Sequence, residues 1–247
     1  MTAVRRPHYH HGDLRAALVD TAIEVISERG IRGFSLAEAS RRLGVAVSAP
    51  YAHFADREEL LVAVAVHAHE RFYAAIEPEI GRFQAPADRL TAMARGYVRF
   101  AAANRALFEM LYEAGLDKAR HPEIEQAEQP LTDAFMTCVR ALSAPSEPSP
   151  GSAPAEPPPG SGGDELAAPG GDALADDLAS ALEATALGHV MLFLDGGSGQ
   201  DGEAVERAAD RAARATTALI ASRHLLSESP RFMITEDRAG YSEPDPP

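Results

Sequence analysis

An all-α fold is predicted for this chain from three observations. Apolar residues recur at three- and four-residue spacings, residues that cap helices precede several of these segments, and no segment shows the alternation of a β-strand. With 247 residues, of which 45% are hydrophobic, the chain can build a sizeable core. The first helix is predicted to begin after Asp13 and to end at Gly30, with an apolar face formed by Leu14, Ala17, Leu18, Ala22, Val25 and Ile26.

Two short helices are predicted next, joined by a tight turn. Ser35 opens "SLAE", a capping box in which its hydroxyl accepts from the amide of Glu38 while the Glu38 side chain reaches back to Ser35. This helix is expected to end at Leu43, because Gly44 readily adopts the left-handed conformation. Pro50 lacks an N–H group and must lie in the first turn of the third helix, which places its start at residues 46–48.

The remaining helices follow from the same signals. A fourth helix is predicted from Asp56, with Glu59 three residues on, to about Ala75. Further helices are expected over about 87–103, 105–113 and 123–142, with Pro130 kinking or splitting the last of these, and then over 172–194 and 202–225. The segment 143–171 and the tail 227–247 are rich in Pro, Gly and Ser and are expected to be disordered.

Charge is unevenly distributed along the chain. The formal net charge is −14, yet residues 1–57 contain eight Arg and six acidic residues, a net charge of +2. This permits a DNA-binding N-terminus without proving one. The single cysteine, Cys138, excludes an intrachain disulfide, and no signal peptide or apolar run of about 20 residues is evident, so we expect a cytoplasmic protein without a membrane span.

The first sixty residues carry a specific combination of motifs. A first helix ending "ERG" is followed by "GFSLAE", "RRLGV", "PYAHF" and "DREELL". This combination resembles the N-terminal domain of TetR-family transcriptional regulators, in which the third of three helices enters the major groove. The stretch "GHVMLFLDGG" around His189 is similar to a TetR subgroup with a Trp-, His- and Gly-containing C-terminal helix, although this chain has no Trp and has Val190 where that pattern has Gly.

The resemblance implies a DNA-binding, helix-turn-helix transcription regulator that forms a homodimer. It implies a helix-turn-helix domain over 12–72, with the motif itself at about 35–54, and a helical regulatory and dimerisation domain over 73–226. The fourth helix joins the two domains, and the last two helices pair across the dimer axis, with a stripe of Leu178, Leu182, Thr185, His189 and Leu192. A small-molecule effector is expected to release the protein from a pseudo-palindromic operator, and no enzymatic activity or cofactor is expected.

DNA contacts carry over to seven residues of the motif. Tyr51, His53 and Arg57 suit phosphate oxygens, while Val47 and Ala49 suit thymine methyl groups. Among the recognition residues the polar candidate for base edges is Ser48. Ser35 begins the second helix and completes the set. Phe54 and Leu43 are expected in the core. Tyr51 has the alternative of a core ring with an exposed hydroxyl. For Arg41 and Arg42 on the second helix, a solvated face is an equal alternative to a role in binding.

The N-terminal segment "RRPHYHH" offers a basic arm. Arg5 and Arg6 are expected to enter the minor groove, as basic arms do, or else the segment is merely flexible. His8, His10 and His11 are close together, yet no Cys or carboxylate cluster completes a metal site, so no bound metal is expected.

The middle helices are expected to form the effector pocket. Aromatic and Met residues at helical spacing are more often plain core than ligand wall at any single position, so the pocket is assigned to them only as a group. The residues are Met93, Tyr97, Phe100, Phe108, Met110, Leu111, Phe135 and Met136.

One alternative function stays open from the sequence. Ala46, Ala49 and Ala52 leave the recognition helix with few polar groups, which would suit a small-molecule-binding helical protein that no longer regulates DNA. A mobility-shift assay with the DNA upstream of the gene separates the two functions.

Overall fold

The computed structural model of the chain describes residues 14–113, 115–144, 171–195 and 202–226. These residues form eight α-helices and three short 3₁₀-helices, and this part of the chain contains no strand, as expected for an all-α fold. The α-helices are α1 (Leu14–Arg29), α2 (Leu36–Leu43), α3 (Arg57–Ile80), α4 (Pro86–Ala103), α5 (Arg105–Glu113), α6 (Pro122–Ser143), α7 (Gly171–Asp195) and α8 (Gly202–Ala221). The 3₁₀-helices are Ile31–Gly33, Ala49–Ala52 and Arg223–Leu226.

α1 has the bounds that the sequence predicts and is the main support of the N-terminal head, residues 14–56. Its apolar face includes Leu18 and Val25, which are fully buried, and it packs against α2 and α3. Gly30 ends the helix with a φ of 70°, a left-handed conformation that glycine adopts without strain.

One half of the predicted capping box is present at the start of α2. The Ser35 hydroxyl oxygen accepts from the amide of Glu38 at 3.2 Å, and Gly44 ends the helix in the left-handed conformation with a φ of 69°. The prediction that the Glu38 side chain reaches back to Ser35 is wrong, because the Glu38 carboxylate is turned toward three arginine side chains.

The third element is a 3₁₀-helix rather than the predicted α-helix. The amides of Ala49, Tyr51 and His53 each donate to the carbonyl three residues earlier, at 2.9, 3.2 and 2.9 Å. Pro50 has no amide to donate, so the short segment does not build a run of α-helical hydrogen bonds. We call residues 47–53, the turn and the 3₁₀-helix together, the recognition segment.

α3, the predicted fourth helix, begins as expected and ends later. The Asp56 carboxylate accepts from the amide of Glu59 at 2.9 Å, while the Glu59 carboxylate accepts from the amide of Ala55. The helix continues past the predicted end at Ala75 to Ile80, because Ile76 and Ile80 are buried in the main core. Its 24 residues make a rod of about 36 Å from the head into the body.

The helical body is formed by α4 to α8 around α3. α8 packs along α4, where Arg95 pairs with Asp210 at 3.0 Å and Arg99 pairs with Glu206 at 2.6 Å. Arg99 also pairs with Glu79 of α3 at 2.9 Å. The predicted split at Pro130 is wrong, since α6 runs continuously from Pro122 to Ser143 with Pro130 on its exposed side.

α7 corrects two expectations from the sequence. The helix is long and apolar enough, from Asp172 to Asp195, to cross a membrane by length and composition, a test that core helices also pass. Leu178 and Leu182, which were expected at the dimer axis, are buried inside the protomer, whereas Leu192 is 77% exposed.

α7 begins at Gly171, which the sequence places in the disordered segment. The rest of that segment from residue 145 lies outside the described residues, as do the tail 227–247 and the N-terminal arm.

Candidate DNA-binding surface and ligand cavity

The recognition segment presents large side chains to the outside of the head. Val47 and Tyr51 are 59% and 56% exposed, and Ser48 is also exposed, while Ala49 and His53 are half-buried. Ser35 is exposed at the start of α2. The predicted contact residues therefore lie at or near the surface, and Tyr51 is not the core ring that was its alternative.

Two buried residues hold this segment in place. Pro50 is buried, and Phe54 is 1% exposed beneath the guanidinium group of Arg15, whose Cζ atom lies 5.1 Å from the ring centroid. Phe54 is in the core as the sequence predicts, and Leu43 packs against the same core while half-buried. The 3₁₀ geometry thus places Pro50 and Phe54 inward and Tyr51 outward.

Arg57 lies at the head end of α3 and braces the head. Its Nε atom donates to the Phe34 carbonyl at 3.1 Å and its Nη2 atom donates to the Ile31 carbonyl at 2.6 Å. Its guanidinium carbon lies 5.8 Å from the centroid of the Phe34 ring. A phosphate contact by Arg57 stays a prediction, and it competes with these two bonds.

A cluster of three arginines surrounds Glu38, whose side chain is 7% exposed. Arg29 and Arg42 each approach its Oε1 atom to 3.3 Å, and Arg41 pairs with its Oε2 atom. Burial raises the pKa of Glu38, but the hydrogen bonds from Arg42 and Arg41 act in the opposite direction and the net shift is downward. Arg41 remains 69% exposed and so is oriented by Glu38 at the surface of the head.

A cavity of about 590 Å³ lies in the body, within the range of drug-sized ligand sites. α3, α4, α5, α6 and α7 provide most of its wall, which is largely apolar with several polar groups. The wall is lined by His69, Phe72, Ile76, Leu90, Met93, Ala94, Tyr97, Leu111, Tyr112, Lys118, Glu128, Leu131, Thr132, Phe135, Ser180, Leu182, Glu183, Ala184, Ala186, Leu187 and Thr216.

Four of the eight predicted pocket residues line this cavity, namely Met93, Tyr97, Leu111 and Phe135. The other four do not. Phe100 packs on Phe72 with ring centroids 4.7 Å apart, and Phe108 packs edge-on to Tyr97 at 5.6 Å, so both are core. Met110 lines a separate space of about 210 Å³, and Met136 packs half-buried against the main core.

The polar groups of the cavity were not predicted from the sequence, apart from Tyr97. The Tyr97 hydroxyl donates to the Tyr112 hydroxyl, and burial is the main cause that raises the pKa of both phenols. Burial also lowers the pKa of His69, so this imidazole is neutral at neutral pH. Lys118 forms an ion pair with Glu128. These residues lie on α3 to α6 and in a loop, and no local spacing in the sequence brings them together.

The described residues contain no group of three or more His, Cys, Asp and Glu side chains arranged to hold a metal ion. The three N-terminal histidines, His8, His10 and His11, lie outside these residues.

Two protein-family models match the chain. Residues 18–64 match the model described as bacterial regulatory proteins of the tetR family, and residues 90–216, half of the chain, match the model of a tetracyclin repressor-like C-terminal domain. No curated protein sequence matches the chain.

Several solved structures share the fold. A protein of unknown function from Rhodococcus sp. RHA1 is 27% identical, with a TM-score of 0.59 over 84% of this chain and 97% of that one. A TetR-family regulator from Marinobacter aquaeolei VT8 is 15% identical, with a TM-score of 0.54 over 83% and 95%. AibR, solved in complex with isovaleryl coenzyme A and operator DNA, is 17% identical, with a TM-score of 0.55 over 81% and 95%.

The head with its helix-turn-helix and exposed recognition segment coincides with the first matched model, and the helical body with its cavity coincides with the second. The two models, and not the distant structural likenesses, decide the assignment. The chain belongs to the TetR family of bacterial regulatory proteins, which are DNA-binding transcription regulators and not enzymes.

Proposed function

We propose that the protein is a cytoplasmic transcriptional repressor, which a small-molecule effector releases from a pseudo-palindromic operator. The observation that carries this proposal is the coexistence of an exposed recognition segment and a cavity of about 590 Å³ on one continuous helical framework. AibR, which has the same fold, binds both a small molecule and operator DNA.

On the DNA side, the exposed Tyr51 hydroxyl and the imidazole of His53 would contact phosphate oxygens at the edge of the groove. Val47 and Ala49 would meet thymine methyl groups, and Ser48 would reach base edges. Ser35 would offer its hydroxyl at the start of α2, and Arg5 and Arg6 would add contacts in the minor groove. With few polar groups on the segment, part of the discrimination would come from DNA shape.

On the effector side, α3 would transmit the signal. His69, Phe72 and Ile76 of this helix line the cavity, while its first residue, Arg57, holds two carbonyl groups of the head. A ligand that displaces the cavity end of α3 would therefore move the head with it. Operator half-sites lie about 34 to 36 Å apart, so a changed separation of the two heads prevents both from binding together.

The dimer would form through α7 and α8. Ser180 and Ala184, which also line the cavity, are exposed on α7. Gly188 follows on the same stripe at the same spacing, and a Cβ atom built there meets no atom within 4 Å. Leu192, 77% exposed, continues this stripe. Small side chains would let the same helix of a second protomer approach closely. This stripe replaces the one predicted from the sequence, because Leu178 and Leu182 of that stripe are buried inside the protomer.

The test is a mobility-shift assay with duplex DNA from upstream of the gene, run at several salt concentrations. A repressor is expected to give a shift that an unrelated duplex of equal length does not compete away, at a stoichiometry of one dimer per palindrome. Binding that depends only on salt and not on the DNA sequence would contradict the proposal. It would favour the alternative function, a small-molecule-binding protein that no longer regulates DNA.

A further inference from the structure

The cavity combines an aromatic wall with an excess of negative charge. Its charged lining residues are Lys118, Glu128 and Glu183, and His69 is the remaining titratable nitrogen group. Because burial lowers the pKa of His69, that ring adds no positive charge at neutral pH. Two carboxylates thus face a single ammonium group.

The Lys118 ammonium group already has a carboxylate partner. Lys118 forms an ion pair with Glu128, which leaves the other carboxylate without a cationic partner from this group. The Glu183 carboxylate, at the exposed edge of the cavity, has no hydrogen-bond or ion-pair partner in the part of the chain that the structure describes. Partial burial, and next the negative charge of Glu128, raise the pKa of Glu183. A positive charge beside Glu183 would stabilise its ionised form.

The aromatic side chains of Phe72, Tyr97 and Tyr112 line the same cavity as this carboxylate. The ring centroids of Tyr97 lie 5.3 Å from Phe72 and 6.3 Å from Tyr112. After burial, the charge of Glu183 is among the causes that raise the pKa of both tyrosines, in keeping with their shared place in the cavity wall. Aromatic faces attract cations, most strongly where water is excluded.

We propose that the cavity binds an organic cation that carries aromatic or other bulky apolar groups, with its positive charge beside Glu183 and the rings of Tyr97 and Tyr112. This inference rests on the proposed function of the cavity as the effector site. A ligand with a carboxylate or phosphate group would have to displace Glu128 from Lys118 and would still lie near the unpaired Glu183. The charges of the cavity therefore select against anions.

The test compares two ions of nearly the same size and shape, tetraphenylphosphonium and tetraphenylborate, by isothermal titration into the full-length protein. The cation is expected to bind at least about tenfold more tightly than the anion, because one partly desolvated charge pair is gained and one repulsion is avoided. Glu183→Gln is expected to remove most of this preference. Asp176→Asn, an equal change of charge on the exposed side of α7, is the matched control and is expected to keep it.

Each other outcome overturns the inference. Equal or tighter binding of the borate rules out a cationic ligand class, and so does a failure of the phosphonium to bind. An unchanged cation preference in Glu183→Gln, with an unchanged melting temperature, removes Glu183 from the site. The mobility-shift assay needs no ligand, so a failed repressor function is recognised separately.

Discussion

The Nε2 atom of His121 lies 3.0 Å from the Oε1 atom of Glu58, and this contact joins the N-terminal end of α6 to the first turn of α3. The Nη1 atom of Arg120 lies 3.4 Å from the same oxygen. Only a few residues earlier, Lys118 lines the cavity. The segment 118–121 therefore touches both the cavity and the residue next to Arg57, and it ties the wall of the cavity to the head end of α3.

We expect Glu58→Gln to lower the free energy of unfolding by up to about 1 kcal/mol, because the contact with Arg120 is an exposed ion pair and the contact with His121 is a partly buried hydrogen bond. Urea denaturation followed by circular dichroism measures the change. Glu70→Gln, on the exposed side of the same helix, is the control and is expected to leave stability unchanged. Equal losses in the two variants would show that the contact with α6 contributes nothing specific.

We expect the stability of the Glu38→Gln variant to fall less than that of the wild-type protein when the pH is lowered. The pKa of Glu38 is lowered from its ordinary value of 4.5 in the folded protein. Its contribution to stability is therefore complete above that value and is lost as the pH falls through the lowered pKa. Gln carries no charge, so the variant should melt lower at neutral pH and the two melting temperatures should converge on acidification. Thermal melts from pH 7 to pH 3 test this, and parallel curves would contradict it.

Local signals in the sequence predicted much of the fold. The bounds of α1, α2 and α5 and the capping of α2 and α3 follow from single residues such as Ser35, Gly44 and Asp56, whose effects act within one turn. The recognition segment was missed as a 3₁₀-helix because the 3.6-residue period hardly shows in four residues around Pro50.

Contacts between distant segments could not be predicted in the same way. Glu38 meets Arg41 and Arg42 at helical spacing, which the sequence shows, but Arg29 reaches it from α1. Likewise, Phe100 and Tyr97 are both aromatic residues on the same helix, one turn apart, so the sequence does not separate their roles. Packing decides that Phe100 is core and that Tyr97 lines the cavity. Glu183 has no local partner that would mark it as a cavity residue.

We expect Tyr51→Ala and His53→Ala each to weaken operator binding by about five- to tenfold, since each removes a side chain that we propose to contact a phosphate oxygen. Melting temperature and dimerisation should stay unchanged. Tyr51→Phe keeps the ring and removes the hydroxyl, and is expected to lose most of the same affinity. Mobility shifts over a range of salt concentrations measure these effects. Wild-type affinity in either alanine variant would remove that residue from the interface.

We expect Gly188→Leu to prevent the proposed dimer and leave a folded monomer, because the protomer has open space around Gly188 while a second copy of α7 would need that space. Sedimentation velocity at micromolar concentration measures the oligomeric state, and circular dichroism checks the helical content. Ala74→Leu, an added side chain of the same kind at an exposed position of α3, is the control and should stay dimeric. A dimeric Gly188→Leu protein would place the interface elsewhere.

The last prediction concerns the coupling between cavity and operator. Because α3 carries both cavity residues and Arg57, a ligand that shifts His69, Phe72 or Ile76 should change the separation of the heads and weaken operator binding. A typical coupling of about 1 to 3 kcal/mol corresponds to about 5- to 150-fold, and linkage requires the operator to weaken the binding of the ligand by the same factor.

Calorimetric titration of tetraphenylphosphonium into the protein, with and without a saturating operator duplex, measures this factor, and titration into the duplex alone corrects for binding to DNA. The factor should equal the loss of operator affinity that the same cation causes in a mobility-shift assay, because both measure one coupling free energy. Glu58→Gln should reduce both by a similar amount if segment 118–121 transmits part of the signal. Equal affinities of the cation for the free and the DNA-bound protein would show that the cavity and the recognition segments are not coupled through α3.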